Sequence, residues 1–161
     1  MIASFTGHRP HKLPNKQTGY DLSNPLYAWI RLRIIDNLAH VRPDQIISGM
    51  ALGIDQLAAQ IAIDLNIPFI AAIPFIGQEN KWPAVSQKHY NELLKYASKV
   101  VVVSEGGYNA RKMQIRNEWM VNESDKVIAV WDGSDGGTAN CVRYAQNIGK
   151  EVLRINPKDF T

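Results

Sequence analysis

Val127-Ile128-Ala129-Val130-Trp131, followed by Asp132-Gly133-Ser134-Asp135-Gly136-Gly137-Thr138, decides the fold. The first five residues are apolar without alternation, the mark of a strand covered on both faces, as in a parallel sheet. The next seven are turn formers. Beyond them Val142, Ala145 and Ile148 recur at helical spacing, so a helix runs from about Thr138 to Ile148. Strand, glycine-rich turn and helix in that order form half of a βαβ unit.

Working outward, the same grammar repeats. Short apolar runs fall at Ile2–Phe5, Gln45–Ser48, Phe69–Ile73, Val100–Val103 and Val152–Ile155. Between them lie stripes with helical period. Leu26, Trp29, Ile30, Leu32, Ile34 and Leu38 give one; Ile54, Leu57, Ala58, Ile61 and Leu65 give the next. Tyr90, Leu93, Leu94 and Ala97 mark a third, and Met113, Ile115, Trp119 and Met120 a fourth. Pro43, Pro68 and Gly149 each precede a strand. The expectation is an α/β, Rossmann-like, doubly wound and mainly parallel six-stranded sheet, with helices on both faces. Residues 1–161 read as one domain, without linker or repeat. The Pro10–Pro25 stretch is irregular, and Ile76–Pro83 is a candidate mobile lid.

In such sheets ligands sit beyond the carboxyl ends of the strands, so the residues after each strand carry the functional reading. Strand one is followed by Thr6-Gly7-His8-Arg9, strand two by Ser48-Gly49-Met50-Ala51-Leu52-Gly53-Ile54-Asp55, and strand five by the Asp132–Thr138 turn. Glycines let a phosphate approach the backbone, and a helix starting near Thr138 offers free N–H groups at its positive end. Backbone geometry alone also explains glycine in such turns, and capping alone explains Thr138. Arg9 and Arg116 are candidate phosphate partners, with His8 and Asn117 beside them. Asp132 is placed for a ribose hydroxyl or a base amino group, or caps its own turn. Trp82, Tyr108 and Trp131 are candidates for stacking on a base, with core packing the alternative for Trp131. The GxGxxG fingerprint and the P-loop are both missing, which argues against a dinucleotide dehydrogenase or a P-loop NTPase.

Composition narrows the classes. Eighteen Lys and Arg against 15 Asp and Glu leave a formal charge of +3 with no basic tract, so nucleic acid is not the expected partner. No run approaches the roughly 18 apolar residues of a membrane span. The N-terminal residues lack a signal-peptide pattern, and a lone cysteine, Cys141, suits a cytoplasmic location. His11, His40 and His89 have no partners at ligand spacing, so no metal site is expected, and no cofactor motif is present.

These turns resemble the SLOG superfamily of Rossmann-like nucleotide-sensing domains. It takes in YpsA-type proteins, the Rossmann domain of the DNA-processing protein, and the lysine-decarboxylase-like phosphoribohydrolases. The carriers are Thr6-Gly7-His8-Arg9, Ser48 to Asp55, and Arg116 together with Gly136-Gly137-Thr138. Arg116-Asn117-Glu118-Trp119-Met120 and Asp125 keep the spacing of the phosphoribohydrolase Arg-Lys-x-x-Met motif and its later Asp. The resemblance implies a nucleotide-type ligand on these turns and, by analogy, a homodimer or higher homo-oligomer. The family's catalytic Glu, three residues after the Thr, falls on Cys141, and a thiol replaces a carboxylate poorly in N-glycosidic cleavage. Asp132 and Asp135 are the weak stand-ins. Three readings follow, in order: a binding protein that senses or sequesters a nucleotide-type ligand, an N-glycosidase or deoxyribosyltransferase-like enzyme, and a single-stranded DNA binder.

Overall fold

The computed structural model describes residues 1–14 and 21–161; residues 15–20, within the irregular Pro10–Pro25 segment, lie outside the described residues. Six strands alternate with five helices: β1 (Ile2–Gly7), α1 (Pro25–Val41), β2 (Gln45–Ser48), α2 (Ile54–Asp64), β3 (Phe69–Ile73), α3 (Ala84–Leu94), β4 (Lys99–Val102), α4 (Ala110–Asn122), β5 (Lys126–Val130), α5 (Gly137–Asn147) and β6 (Glu151–Ile155). The strands form one sheet in the order β4-β3-β2-β1-β5-β6, and each of the five pairings is parallel. From β1 the chain winds outward to β4. It then returns to lay β5 against the other edge of β1, with Gly7 opposite Val130. The order reverses there, so the crevice of the doubly wound sheet opens between the ends of β1 and β5.

Helices α1, α2 and α3 contact one another in sequence along one face, and α4 and α5 pack together on the other. Helix α2 lies between α1 and α3 against the sheet. Its Leu57, Ala58, Ala59, Ile61 and Ala62 are all fully buried, and the alanines let it approach the strands closely. Each large aliphatic side chain buried in this core contributes about 1.5–3 kcal/mol of transfer free energy.

Two expectations need correction. Strand β4 is an edge strand rather than one covered on both faces, with Val100 45% and Val102 40% exposed, because β3 is its sole neighbour. In α1, Leu32 points outward at 59% exposure. Two residues beyond buried Ile30, it lies on the opposite side of a 3.6-residue helix, and Tyr27 and Val41 complete the buried stripe instead.

The helix starts differ in a way that bears on the crevice. Asn24 Oδ1 caps α1 by accepting from the Leu26 amide at 3.0 Å, and Asn109 Oδ1 caps α4 by accepting from Arg111 at 2.8 Å. Helices α2 and α5 begin on Gly53 (φ 90°) and Gly136 (φ 141°), conformations that favour glycine, and no side chain caps either. The α5 cap is therefore Gly136, and Thr138 is already inside the helix.

Candidate functional site

The ends of β1, β2, β3 and β5 surround a cleft of about 870 Å³. Of the residues the sequence singles out, Thr6, Gly7, His8, Arg9, Asp55, Arg116, Asn117, Asp135, Gly136, Gly137 and Thr138 line it. Ser48, Gly49, Gly53, Asp132 and Gly133 stand behind that lining and shape the turns that carry it.

The β2 turn is built around Gly49. Ser48 Oγ donates to the Asp55 carbonyl at 2.6 Å and accepts from the Met50 amide at 3.2 Å, holding Met50 in a left-handed conformation at φ 61°. Arg116 reaches this turn from α4 and not the Gly136–Thr138 turn. Its Nη1 donates to the Gly49 carbonyl at 2.6 Å and to the Ala72 carbonyl at 3.3 Å, while Nε donates to Asn117 Oδ1 at 3.1 Å. Asp55 Oδ2 and the Arg116 guanidinium both press on the place where a Gly49 Cβ would be, and the same carboxylate accepts from the Ala51 amide at 3.2 Å. Burial pushes the Asp55 carboxyl above its ordinary value, and the positive charges of Arg116 and Arg9 offset that only in part. Burial likewise lowers Arg116, opposed mainly by Asp55; a guanidinium with carbonyl acceptors this close stays cationic.

The β5 turn is tied to the β1 turn. His8 is 2% exposed, and its Nε2 lies 2.8 Å from Asp132 Oδ1 and 3.1 Å from the Asp132 amide nitrogen. The same Oδ1 accepts from the Ser134 amide and hydroxyl, so Asp132 does cap its own turn. Burial alone would raise its carboxyl. The Ser134 bonds and His8 together outweigh burial and hold it well below the ordinary carboxylate range. A carboxyl so depressed stabilises the folded state above its unfolded value of about 3.8, and that contribution drains away as pH falls below it. Asp132→Asn is accordingly expected to lower stability at neutral pH and to flatten the acid limb. Urea melts between about pH 3 and pH 7 check this, and an unchanged acid limb would show that Asp132 is not a titrating support.

Neither stand-in carboxylate is poised for proton transfer. Asp132 is locked as described, and Asp135 is exposed, with its Oδ1 accepting from Arg143 Nη2 at 2.7 Å. Cys141, 2% exposed at the start of α5, has its thiol pushed up to about 11 by burial, with a Thr6 hydrogen bond opposing; it is a small core residue.

Several lining residues escape the sequence reading. Lys12, on a 3-10 turn Pro10–Lys12, donates from Nζ to the Asp135 carbonyl at 2.8 Å. That ammonium sits 2.4 Å from where a Cβ on Gly136 would be. With Arg9, Arg116 and Lys81, four cationic side chains line the cleft against the carboxylates of Asp55 and Asp135. Phe75, Ile76, Trp82, Tyr108 and Met113 supply the apolar part of the lining. Ile76 is 71% and Tyr108 74% exposed, and the Tyr108 ring meets Phe75 edge-on at 6.0 Å. Trp131 is not among the lining residues; its Nε1 donates to the Ser134 carbonyl at 2.8 Å and Arg154 lies over its ring. In the expected lid, Ile76–Pro83, Gln78 donates to the Gly49 carbonyl, the Trp82 carbonyl accepts from Gln87, and the Trp82 ring packs edge-on against Tyr90 at 5.3 Å. Trp82 and Tyr108 are the two stacking candidates that do line the cleft, whereas for Lys12, Phe75 and Ile76 the sequence offered no more than irregular loops.

Among the described residues no group of His, Cys, Asp and Glu could hold a metal ion, and no helix is long and apolar enough to cross a membrane. The fold is shared with DNA processing protein A from Helicobacter pylori, a structure described for its single-stranded DNA binding mode. The TM-score is 0.66 at 21% identity, over 97% of this chain and 65% of that one. DNA processing protein A from Streptococcus pneumoniae gives a TM-score of 0.64 at 18% identity, with this chain spanning 50% of that protein. The uncharacterized SPbeta prophage-derived protein YoqJ of Bacillus subtilis is 36% identical over 132 residues, 71% of this chain and 77% of that protein. A model of the YspA SLOG family matches residues 3–156, which takes in every strand but for the first residue of β1, and every turn around the cleft. The chain belongs to that family.

Proposed function

We propose that the cleft binds a nucleotide-type anion, with phosphate over the start of α5 between Lys12 and Arg9, and the base against Ile76 and Tyr108. The observation that carries this reading is Gly137. Its φ is outside the left-handed region and nothing lies within 4 Å of where its Cβ would be, so the fold itself has no use for a glycine there. It lines the cleft at the first turn of an uncapped helix, where a side chain would occupy the space of an approaching oxyanion. A lining that combines Lys12, Arg9 and Arg116 with Ile76, Trp82 and Tyr108 suits a ligand with an anionic end and a planar apolar end. Asp132 and Asp135, at the turn where the related hydrolases carry their chemistry, are both engaged by neighbouring donors, which favours sensing or sequestering the ligand over turning it over.

The test is thermal denaturation with a panel of nucleoside 5′-mono- and diphosphates, for the native chain and for Gly137→Val. A ligand at about 100 times its Kd adds roughly 2.7 kcal/mol, a rise of about 5–10 °C for a chain this long. Gly137→Val is expected to melt where the native protein does and to lose that rise. Equal stabilisation of both proteins would remove the α5 turn from the site. Release of free base from a nucleotide would make the protein an enzyme. Affinity for oligodeoxynucleotides that falls steeply with salt would favour a DNA-binding role instead.

A further inference from the structure

Gln78 is nine-tenths buried in the cleft wall. Its Nε2 donates to the Gly49 carbonyl at 3.2 Å and to the Tyr90 hydroxyl at 3.3 Å. A backbone carbonyl only accepts, so the amide cannot be turned the other way round. Its Oε1 is thereby committed as an acceptor, and it is buried without a hydrogen-bond partner. Folded proteins seldom leave a buried acceptor unpaired, because it forfeits its bond to water and gains nothing in return. Gln78 itself lines the cleft, so a small turn of its side chain would present this atom to whatever fills the cleft.

The position of Gln78 says which part of a ligand it would meet. It shares the Gly49 carbonyl with Arg116, on the cationic side. Two residues away is the exposed Ile76 of the apolar side. Gln78 thus adjoins both the Arg116 guanidinium, through the Gly49 carbonyl, and the loop that carries Ile76. Building on the nucleotide reading, we infer that Gln78 is a specificity-determining residue: its Oε1 accepts a hydrogen bond from a neutral donor on the ligand, a sugar hydroxyl or an exocyclic amino group. A site built around a buried acceptor discriminates chiefly by rejecting analogues that lack the donor.

The test compares paired probes by calorimetric titration: adenosine 5′-monophosphate against its 2′-deoxy and 3′-deoxy analogues, and against inosine 5′-monophosphate, with inorganic pyrophosphate as a probe of the anionic end alone. In the native protein, loss of one donor is expected to weaken binding on the order of tenfold. The analogue that shows the loss tells hydroxyl from amine. In Gln78→Met that ratio is expected to fall to within about twofold, whereas a general loosening of the loop would weaken all probes alike and leave the ratio intact. Nucleotide binding with no discriminating analogue, or with a ratio that survives in Gln78→Met, overturns this inference and leaves the nucleotide reading standing. If neither nucleotides nor pyrophosphate bind, both fail. Should Gln78→Met not fold, a crystal structure of the native protein with adenosine 5′-monophosphate decides: a ligand donor within about 3.2 Å of Oε1 supports the inference, and no donor within hydrogen-bond reach overturns it.

Discussion

Arg116→Met is expected to lower stability by about 3–5 kcal/mol, because it removes a buried guanidinium bonded to two carbonyls together with the main positive charge acting on the buried Asp55. The side chain it truncates donates to the carbonyls of Gly49 and Ala72 and supplies the largest opposing charge beside the buried Asp55. Methionine fills most of the space but donates nothing: the Ala72 carbonyl loses this donor, the Gly49 carbonyl keeps only Gln78, and Asp55 loses its main opposing charge. For a chain of this length the melting temperature should fall by roughly 10 °C or more. The deficit should also depend on pH in a definite sense. In the native protein burial already raises the Asp55 carboxyl, so the folded state binds its proton more tightly than the unfolded state does. This contribution favours the fold at low pH and is lost as pH rises above the ordinary carboxylate value. Without Arg116 the carboxyl rises further, and the deficit of the variant should grow from about pH 4 toward neutrality. Asp55→Asn in the Arg116→Met background should recover part of the loss, since it removes the stranded charge. Urea melts of the single and double variants at two pH values check both statements. A pH-independent deficit, or no recovery in the double variant, would show that Asp55 and Arg116 are not energetically paired.

Gly7→Ala is the second large effect. A Cβ at Gly7 would lie 2.5 Å from Cγ2 and 2.6 Å from Cβ of Ile54, distances that atoms do not tolerate. Ile54 cannot swing aside, because it is fully buried at the first position of α2. One added methyl group therefore forces the end of β1 and the start of α2 apart, at a cost of about 1–3 kcal/mol. Gly137→Ala is the matched control: the same chemical change, at a glycine with open space around it, should leave stability within about 0.5 kcal/mol. Parallel denaturant titrations of the two variants measure the contrast. Equal effects would mean that the close approach at Gly7 is relieved by a small shift of the helix.

That contrast also shows what could be read from the amino-acid sequence. The alternation of strands and helices was legible because β1, β2, β3 and β5 are buried as unbroken apolar runs, and such runs have few other uses. The glycine turns announced the edge of the sheet where the cleft lies. A row of letters does not separate Gly7, needed because a helix presses on it, from Gly137, on which nothing presses. Arg116 was recognisable as part of the site, but its contact with Gly49 depends on how α4 crosses β3. Lys12 and Gln78 carried no periodicity or motif, since each reaches the cleft from an irregular segment. The exposure of Val100 and Val102 likewise follows from which strand ends the sheet, which a single strand's composition does not specify.

The return of β5 to the far edge of β1 has a consequence for the newborn chain. While the first hundred or so residues leave the ribosome, β1 has β2 on one side and nothing on the other, because its second partner ends at Val130. One of the two central strands of the finished sheet is thus, for a time, an unprotected margin with open amides and carbonyls, the kind of surface on which unfinished chains stick to one another. Closing it joins segments some 120 residues apart, a contact of high sequence separation that forms slowly. The β1 and β5 turns meet in that same late step, so the cleft cannot exist on a partly made chain. Occupancy of the cleft would report that synthesis has reached β5 and that the sheet has shut.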